Sequence, residues 1–285
     1  MALQHYCGLT RRHFGTLLVV LATTTACSGA AGSATAATPQ LPSIATAPTR
    51  SDRVSADRIS AVCSAWVDSD TAAARVLLTA DLGSGTPEQI QTIVKDFWSA
   101  QQPILASMQP APEPIQADVA KLLALAQHGA ATGDSATLTS PDLQTADRNI
   151  DQYMLGECGY PQLRITATDA AYQGIPATIS SGAVGITLDN QGREAHQALI
   201  VHINDGVTEP FTTLLTLPPE QRAQAATALG SVEVDPGQAA TVFLRLTPGR
   251  YGAVDFLAQG TTRLDAPGNG DPHYQHGLQT EFTAT

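Results

Sequence analysis

The chain has 285 residues, with 15 Lys and Arg against 26 Asp and Glu and a formal charge of −11. Both basic residues of the first 26 positions are arginines and no acid accompanies them, so the rest carries −13. That balance, with Lys95 and Lys121 the only lysines, excludes nucleic acid and anionic membrane surfaces as electrostatic partners.

Residues 1–14, MALQHYCGLTRRHF, carry Arg11 and Arg12. Residues 15–26, GTLLVVLATTTA, form an apolar run too short for a stable transmembrane helix, and Cys27 follows at once. This layout resembles a bacterial lipoprotein signal, in which small residues precede a cysteine that becomes the lipidated new N-terminus. Ala26 and Cys27 fit the pattern, while Thr24 stands where an aliphatic residue is usual. The resemblance implies a signal peptide over residues 1–26 and a lipid anchor at Cys27. The chain would then sit on the extracytoplasmic face of the cell membrane, in a periplasmic or cell-envelope setting. A plain cleaved secretory signal is the alternative. TRRHF also resembles a twin-arginine motif at Arg11, Arg12 and Phe14, so two export routes stay open. Cys7 falls in the discarded leader and needs no role. Residues 27–50 are rich in Ala, Ser, Thr and Pro and offer too little apolar surface to offset ordering entropy, which predicts a flexible stalk.

Residues 51–160 read as a helical bundle. SADRISAVCSAWVDSD offers Ser55 as a cap and places Ile59, Val62, Cys63, Trp66 and Val67 at helical spacing. TPEQIQTIVKDFWSAQQPILASM opens on Thr86 and Pro87, a cap and first turn, with Pro103 as a kink or end. PEPIQADVAKLLALAQHG carries a broad apolar stripe and is expected to stop at Gly129. SPDLQTADRNIDQYMLGECG runs from Ser140 to Gly159. Cys63 on the first helix and Cys158 at the end of the last are the two remaining cysteines, and in an oxidising compartment they are expected to form a disulfide. Closing a loop of about 95 residues is worth roughly 4–5 kcal/mol on the chain-entropy model. His128, beside Gly129, suits a helix C-terminus. Nothing in this half has catalytic or metal-ligand spacing, and Trp66 and Trp98 read as core.

From residue 161 the period changes. LRITATD, AVGITLD, HQALIVHI, ATVFLRL, YGAVDFLAQ and QTEFTAT are strand-like runs separated by Gly, Pro, Asn and Asp turns. TEPFTTLLTLPPEQRAQAATALG, between Asp205 and Gly230, is expected to be a helical or irregular crossover. The fold class is therefore α+β in separate domains: an N-terminal helical bundle, then a Greek-key β-sandwich of six or seven strands over residues 161–285.

The second half also resembles a cupredoxin, the blue-copper sandwich, over about residues 165–285. The landmarks are NQGREAH with Asn190 and His196, PGRY with Tyr251, and the DPHYQHGL loop from His273 to Leu278 before the last strand. The resemblance implies His196 and His273 at the two imidazole positions of a copper site. Asp255 stands where the thiolate belongs, Leu278 stands where the axial Met belongs, and no cysteine follows Cys158. A blue-copper centre of two imidazoles, a thiolate and a weak thioether is thereby excluded. His196, Asp255 and His273 still form a set suited to Cu(II) or Zn(II), with His276 as a substitute or assistant. The competing reading is that the ligand set has decayed, Asp255 faces solvent, and the fold persists as a recognition module. His202, on the same strand face as His196, reads as structural or exposed.

Two functions follow. One is a metal-handling lipoprotein with Cu(II) or Zn(II) at His196, Asp255 and His273. The other is a metal-free envelope module that recognises another envelope protein. An enzyme is not expected, because paired carboxylates, a nucleophile elbow, a His-Glu-x-x-His motif and a phosphate loop are all lacking.

Overall fold

The computed structural model describes residues 50–78 and 85–285, with side chains from residue 56 onward. The signal peptide, Cys27 and the stalk up to residue 49 lie outside the described residues. None of the described helices is long and apolar enough to cross a membrane.

Four helices run α1 (Arg50–Leu77), α2 (Pro87–Ser107), α3 (Glu113–Thr132) and α4 (Pro141–Glu157), each packed on the next in chain order. Thr86 caps α2 through a reciprocal capping box with Gln89, which satisfies two otherwise orphaned N–H groups. Three local expectations change. Ser55 is no cap, because α1 already begins at Arg50. Pro103 lies within α2, which runs on to Ser107. Gly129 does not end α3. A Cβ there would lie 1.9 Å from Trp98 Cδ1, so Gly129 is a notch that admits the indole. The helix ends three residues later, where Gly133 takes the left-handed conformation at φ 69° and donates to the Gly129 carbonyl. His128 accordingly sits inside the last turns, 3.5 Å from Asp134.

The bundle core is built from Trp66, Val67, Val94, Trp98, Ile115, Val119 and Ile150, and the buried indole N–H of Trp98 donates to Thr137 Oγ1 at 2.7 Å. Cys63 and Cys158 are joined across 95 residues, with Cα atoms 5.7 Å apart, and tie α1 to the end of α4.

The remaining chain forms nine strands in two sheets, more than the six or seven expected. The first sheet has the order β2 (Ala171–Gln173), β1 (Gln162–Thr168), β4 (Gly182–Asn190), β7 (Ala239–Leu246). The second has β3 (Thr178–Ile179), β9 (Gln279–Ala284), β8 (Gly249–Val254), β5 (His196–Ile203), β6 (Ala226–Val234). β1 runs parallel to β4, and β5 lies antiparallel between β6 and β8. Ile165, Ile186, Leu188 and Leu244 from one sheet meet Ala198, Ile200, Tyr251 and Phe282 from the other in the sandwich core.

The uninterrupted apolar run of β5 has a structural cause. Its alternate residues Leu199, Val201 and Ile203 face away from the sandwich and are covered by the crossover, which folds into α5 (Phe211–Leu215) and α6 (Pro219–Ala225). The end of that crossover segment is strand: β6 starts at Ala226.

Helices and sandwich meet along α1 and β7. Phe243 of β7 belongs to the bundle core, and its backbone N–H donates to Asp70 Oδ2 at 2.7 Å. Asp151 accepts from Trp66 Nε1 at 2.9 Å. Burial pushes the carboxyls of both Asp70 and Asp151 well above the ordinary value of 3.8, and the neighbouring Asp147 adds to both shifts. A carboxyl raised on folding favours the native state when protonated, so this cluster loses stability as pH rises from about 3.8 through the folded values. Asp151→Asn retains an oxygen acceptor for Trp66 and removes the charge. It should therefore melt above the wild type at pH 7, with the gap closing as pH falls toward 4. Thermal melts across that range check this, and a wild type that is the more stable at pH 7 would contradict it.

Candidate metal centre

Three backbone segments converge at one end of the sandwich. His196 is the first residue of β5, delivered by the loop that follows β4. Buried Asn190 shapes that loop: its Nδ2 donates to the carbonyls of Glu194 (2.8 Å) and Val234 (3.1 Å), and its Oδ1 accepts from the Gly192 N–H at 2.8 Å. Gly192 is required at its place, since a Cβ would stand 2.6 Å from His196 Nε2 and 2.4 Å from Asp169 Oδ1. Asp255 lies one residue beyond β8, and its N–H donates to the Leu278 carbonyl at 3.0 Å. His273 opens a single 3₁₀ turn, His273–His276, closed by Gly277 at φ 109°. This turn is tied back to Asp255 by the Tyr274 N–H, which donates to the Asp255 carbonyl at 2.9 Å.

Asp255 does not face solvent. It is 0% exposed, as is His196, and His273 is 2% exposed. Asp255 Oδ2 lies 2.9 Å from His196 Nδ1 and 3.0 Å from His273 Nδ1, and its Oδ1 accepts the Leu257 N–H at 2.9 Å. Ligand-type atoms of the three residues all fall within 4.8 Å of one another, a grouping that among the described residues is found here alone.

The far nitrogens of both rings face carboxylates. His273 Nε2 is 2.9 Å from Glu194 Oε2, which also accepts the Gly260 N–H at 2.7 Å. His196 Nε2 is buried and makes no hydrogen bond, with Asp169 Oδ1 at 3.5 Å as the nearby acid. Asp169 is itself held by Arg193, through the backbone N–H (2.7 Å) and Nε (3.0 Å). Burial works to raise the Asp169 pKa, but the donors and charge of Arg193, with the Glu194 N–H, bring it below the ordinary value.

This geometry has a definite chemical meaning. In the tautomer with both rings protonated at Nε2, the two Nδ1 lone pairs and Asp255 Oδ2 converge, and only a proton or a cation relieves their repulsion. Two nitrogens and one oxygen suit Cu(II) or Zn(II), and a carboxylate on the far side of a ligating imidazole is the usual support for such a ligand. Protons serve as well. Burial lowers the pKa of His273, but its hydrogen bonds and ion pairing with Asp255 and Glu194 outweigh that, and the net shift is upward from 6.5.

Of the other residues singled out in the sequence, His276 is exposed and stands apart from the cluster. His202 packs on Tyr251, ring centroids 5.0 Å apart, in a structural role. Leu278 is fully buried in the sandwich core. Glu194 and Asp169 were not singled out. Glu194 lies two residues before His196 in GREAH, a proximity that could have flagged it, whereas Asp169 has no local signal.

No family model and no curated protein matches the chain. Solved structures match its C-terminal half. Dithionite-reduced auracyanin from Roseiflexus castenholzii is 18% identical, covers 44% of this chain and 96% of that one, and has a TM-score of 0.29. Auracyanin A from Chloroflexus aurantiacus, described as a "blue" copper protein, is 16% identical over 45% of this chain and 100% of that one, TM-score 0.29. Auracyanin B is 20% identical over 44% and 88%, TM-score 0.26. With this strand order the C-terminal half is a two-sheet β-sandwich that brings histidines from β5 and from the turn before β9 together at one end.

A histidine whose pKa is raised on folding adds stability that is fully present below the unfolded value of 6.5 and lost as pH climbs through the folded value. In chelator, Glu194→Gln should therefore lose part of the wild-type advantage at pH 6 while approaching wild-type stability at pH 8 and above. Paired melting curves test this. A deficit that stays constant with pH would show that Glu194 acts without reference to the charge on His273.

Proposed function

We propose that the chain holds Cu(II) or Zn(II) at His196, Asp255 and His273 as a non-enzymatic metal-handling lipoprotein. Cys27 would carry the lipid anchor, on the extracytoplasmic face of the cell membrane. The observation that carries the metal reading is the convergence of two imidazole nitrogens and one carboxylate oxygen, fully buried, with outer acids at both far nitrogens. The anchor rests on the lipobox-like layout of residues 15–27.

A bound divalent ion supplies positive charge that a buried carboxylate otherwise draws from protons. The residues do the remaining work. Asp255 fixes both rings through one oxygen, Glu194 orients His273 and restrains its far proton, and the buried surroundings exclude water. With no thiolate among the donors, copper held here is a non-blue Cu(II) centre, a bound and released cargo in preference to an electron relay. The second reading, a metal-free module that recognises another envelope protein, is favoured by the hydrogen-bond distances from Asp255 Oδ2 to both rings, which let protons alone complete the cluster.

Titration of the metal-free protein with Zn(II) and Cu(II) separates the two. The metal reading predicts one tight equivalent, absent from His196→Ala/His273→Ala, and a Cu(II) complex without an intense blue band. Failure of the folded wild type to bind either ion, with melting unaffected by added metal, supports the recognition module. On the metal reading, Glu194→Gln should weaken binding about 10- to 100-fold, the usual effect of removing an outer partner of a ligating histidine.

A further inference from the structure

A cavity unrelated to the imidazole cluster opens on the outer face of the second sheet. Its volume is about 490 Å³, within the range of small-molecule sites. The floor is the outer face of β5 and β8, with Leu199, Val201 and Val254. Phe211 and Leu214 of α5 form one wall, and Ala74 and Arg75 of α1, with Leu78 just beyond its end, form another. The site thus lies where helical half and sandwich meet.

Acids outnumber bases 26 to 15 overall, yet among the described residues the cavity lining includes Arg75 and Arg222 and no Asp or Glu. Arg222 is the more telling of the two. Its Nη1 donates to the Leu215 carbonyl at 3.0 Å, and its guanidinium lies over the Phe256 ring at 5.2 Å, so the group is held against the apolar wall. Its Nε–H is buried with no acceptor. The residue as a whole is only half-buried and lines the cavity, so an anionic oxygen at the open edge of the guanidinium would supply a counter-charge.

We propose that this cavity binds a single-chain amphipathic carboxylate, with the alkyl chain along the β5–α5 trough and the carboxylate at Arg222. The apolar walls favour the chain by burial, and the guanidinium selects the head group. This inference does not depend on metal at His196, Asp255 and His273.

Dodecanoate, dodecanol and dodecyltrimethylammonium, each titrated calorimetrically below its micelle concentration into the purified protein, test it. Saturable binding of one dodecanoate is expected, stronger than dodecanol, with the cation weakest. Arg222→Gln should weaken dodecanoate about tenfold or more and leave dodecanol unchanged, while Arg222→Lys retains the preference for the anion. Ala74→Trp, which adds a ring at the α1 wall, should abolish binding of both. The proposal is overturned if the folded wild type binds no dodecanoate or if the three head groups bind alike. Retained binding in Ala74→Trp, or a ligand-free dimer that buries this cavity, overturns it equally.

Discussion

The sandwich is organised at one end by the need to neutralise a buried carboxylate. Asp255 is fully out of water, and an isolated ion there would be far too costly to keep. Two imidazoles relieve it through one oxygen, and they come from positions 59 and 18 residues away in sequence. Satisfying this one charge thus fixes the start of β5, the end of β8 and the turn before β9 relative to one another. The glycines follow from that packing: Gly192 lets its loop lie against His196, and Gly277 closes the turn where a Cβ would strike the Ala170 carbonyl at 2.3 Å.

The same constraint makes the cluster responsive to whatever supplies positive charge. A divalent ion would have to compete with protons for the same Nδ1 positions, since a ring nitrogen must shed its proton to ligate. The outer acids take part in that competition: Glu194 stabilises imidazolium when His273 is protonated and raises ligand basicity when it is not. What the end of this sandwich does not hold is sulfur. Leu278 closes the core beside the cluster and Asp255 offers oxygen, so an ion held there would meet neither thiolate nor thioether from these positions.

The legible parts of the chain were those with a local period or a local landmark. Helical stripes marked α1 to α4, and the disulfide followed from Cys63 and Cys158, the two cysteines beyond the leader and Cys27. Asn190, Tyr251 and the DPHYQHGL loop carried the resemblance to a copper-site sandwich and brought His196, Asp255 and His273 to notice. Juxtapositions were less legible. Glu194 meets His273 across 79 residues, and Asp169 reaches His196 only because β1 and β4 lie side by side. Gly129 read as a helix stop because a packing notch and a C-cap have the same residue type. β6 was hidden because its first residues, Ala-rich and continuous with α6, carry no alternation until Gly230. A bulge between Ile200 and Val201 then shifts its register on β5.

X-ray absorption of the Zn(II)-loaded protein tests the central claim most directly, because it reads the donors themselves. The account predicts only light scatterers at about 2.0–2.1 Å, with the outer-shell signature of two imidazoles. A sulfur scatterer near 2.3 Å, or a spectrum lacking the two imidazoles, would contradict it, since the ion would then be held by other residues than His196, Asp255 and His273.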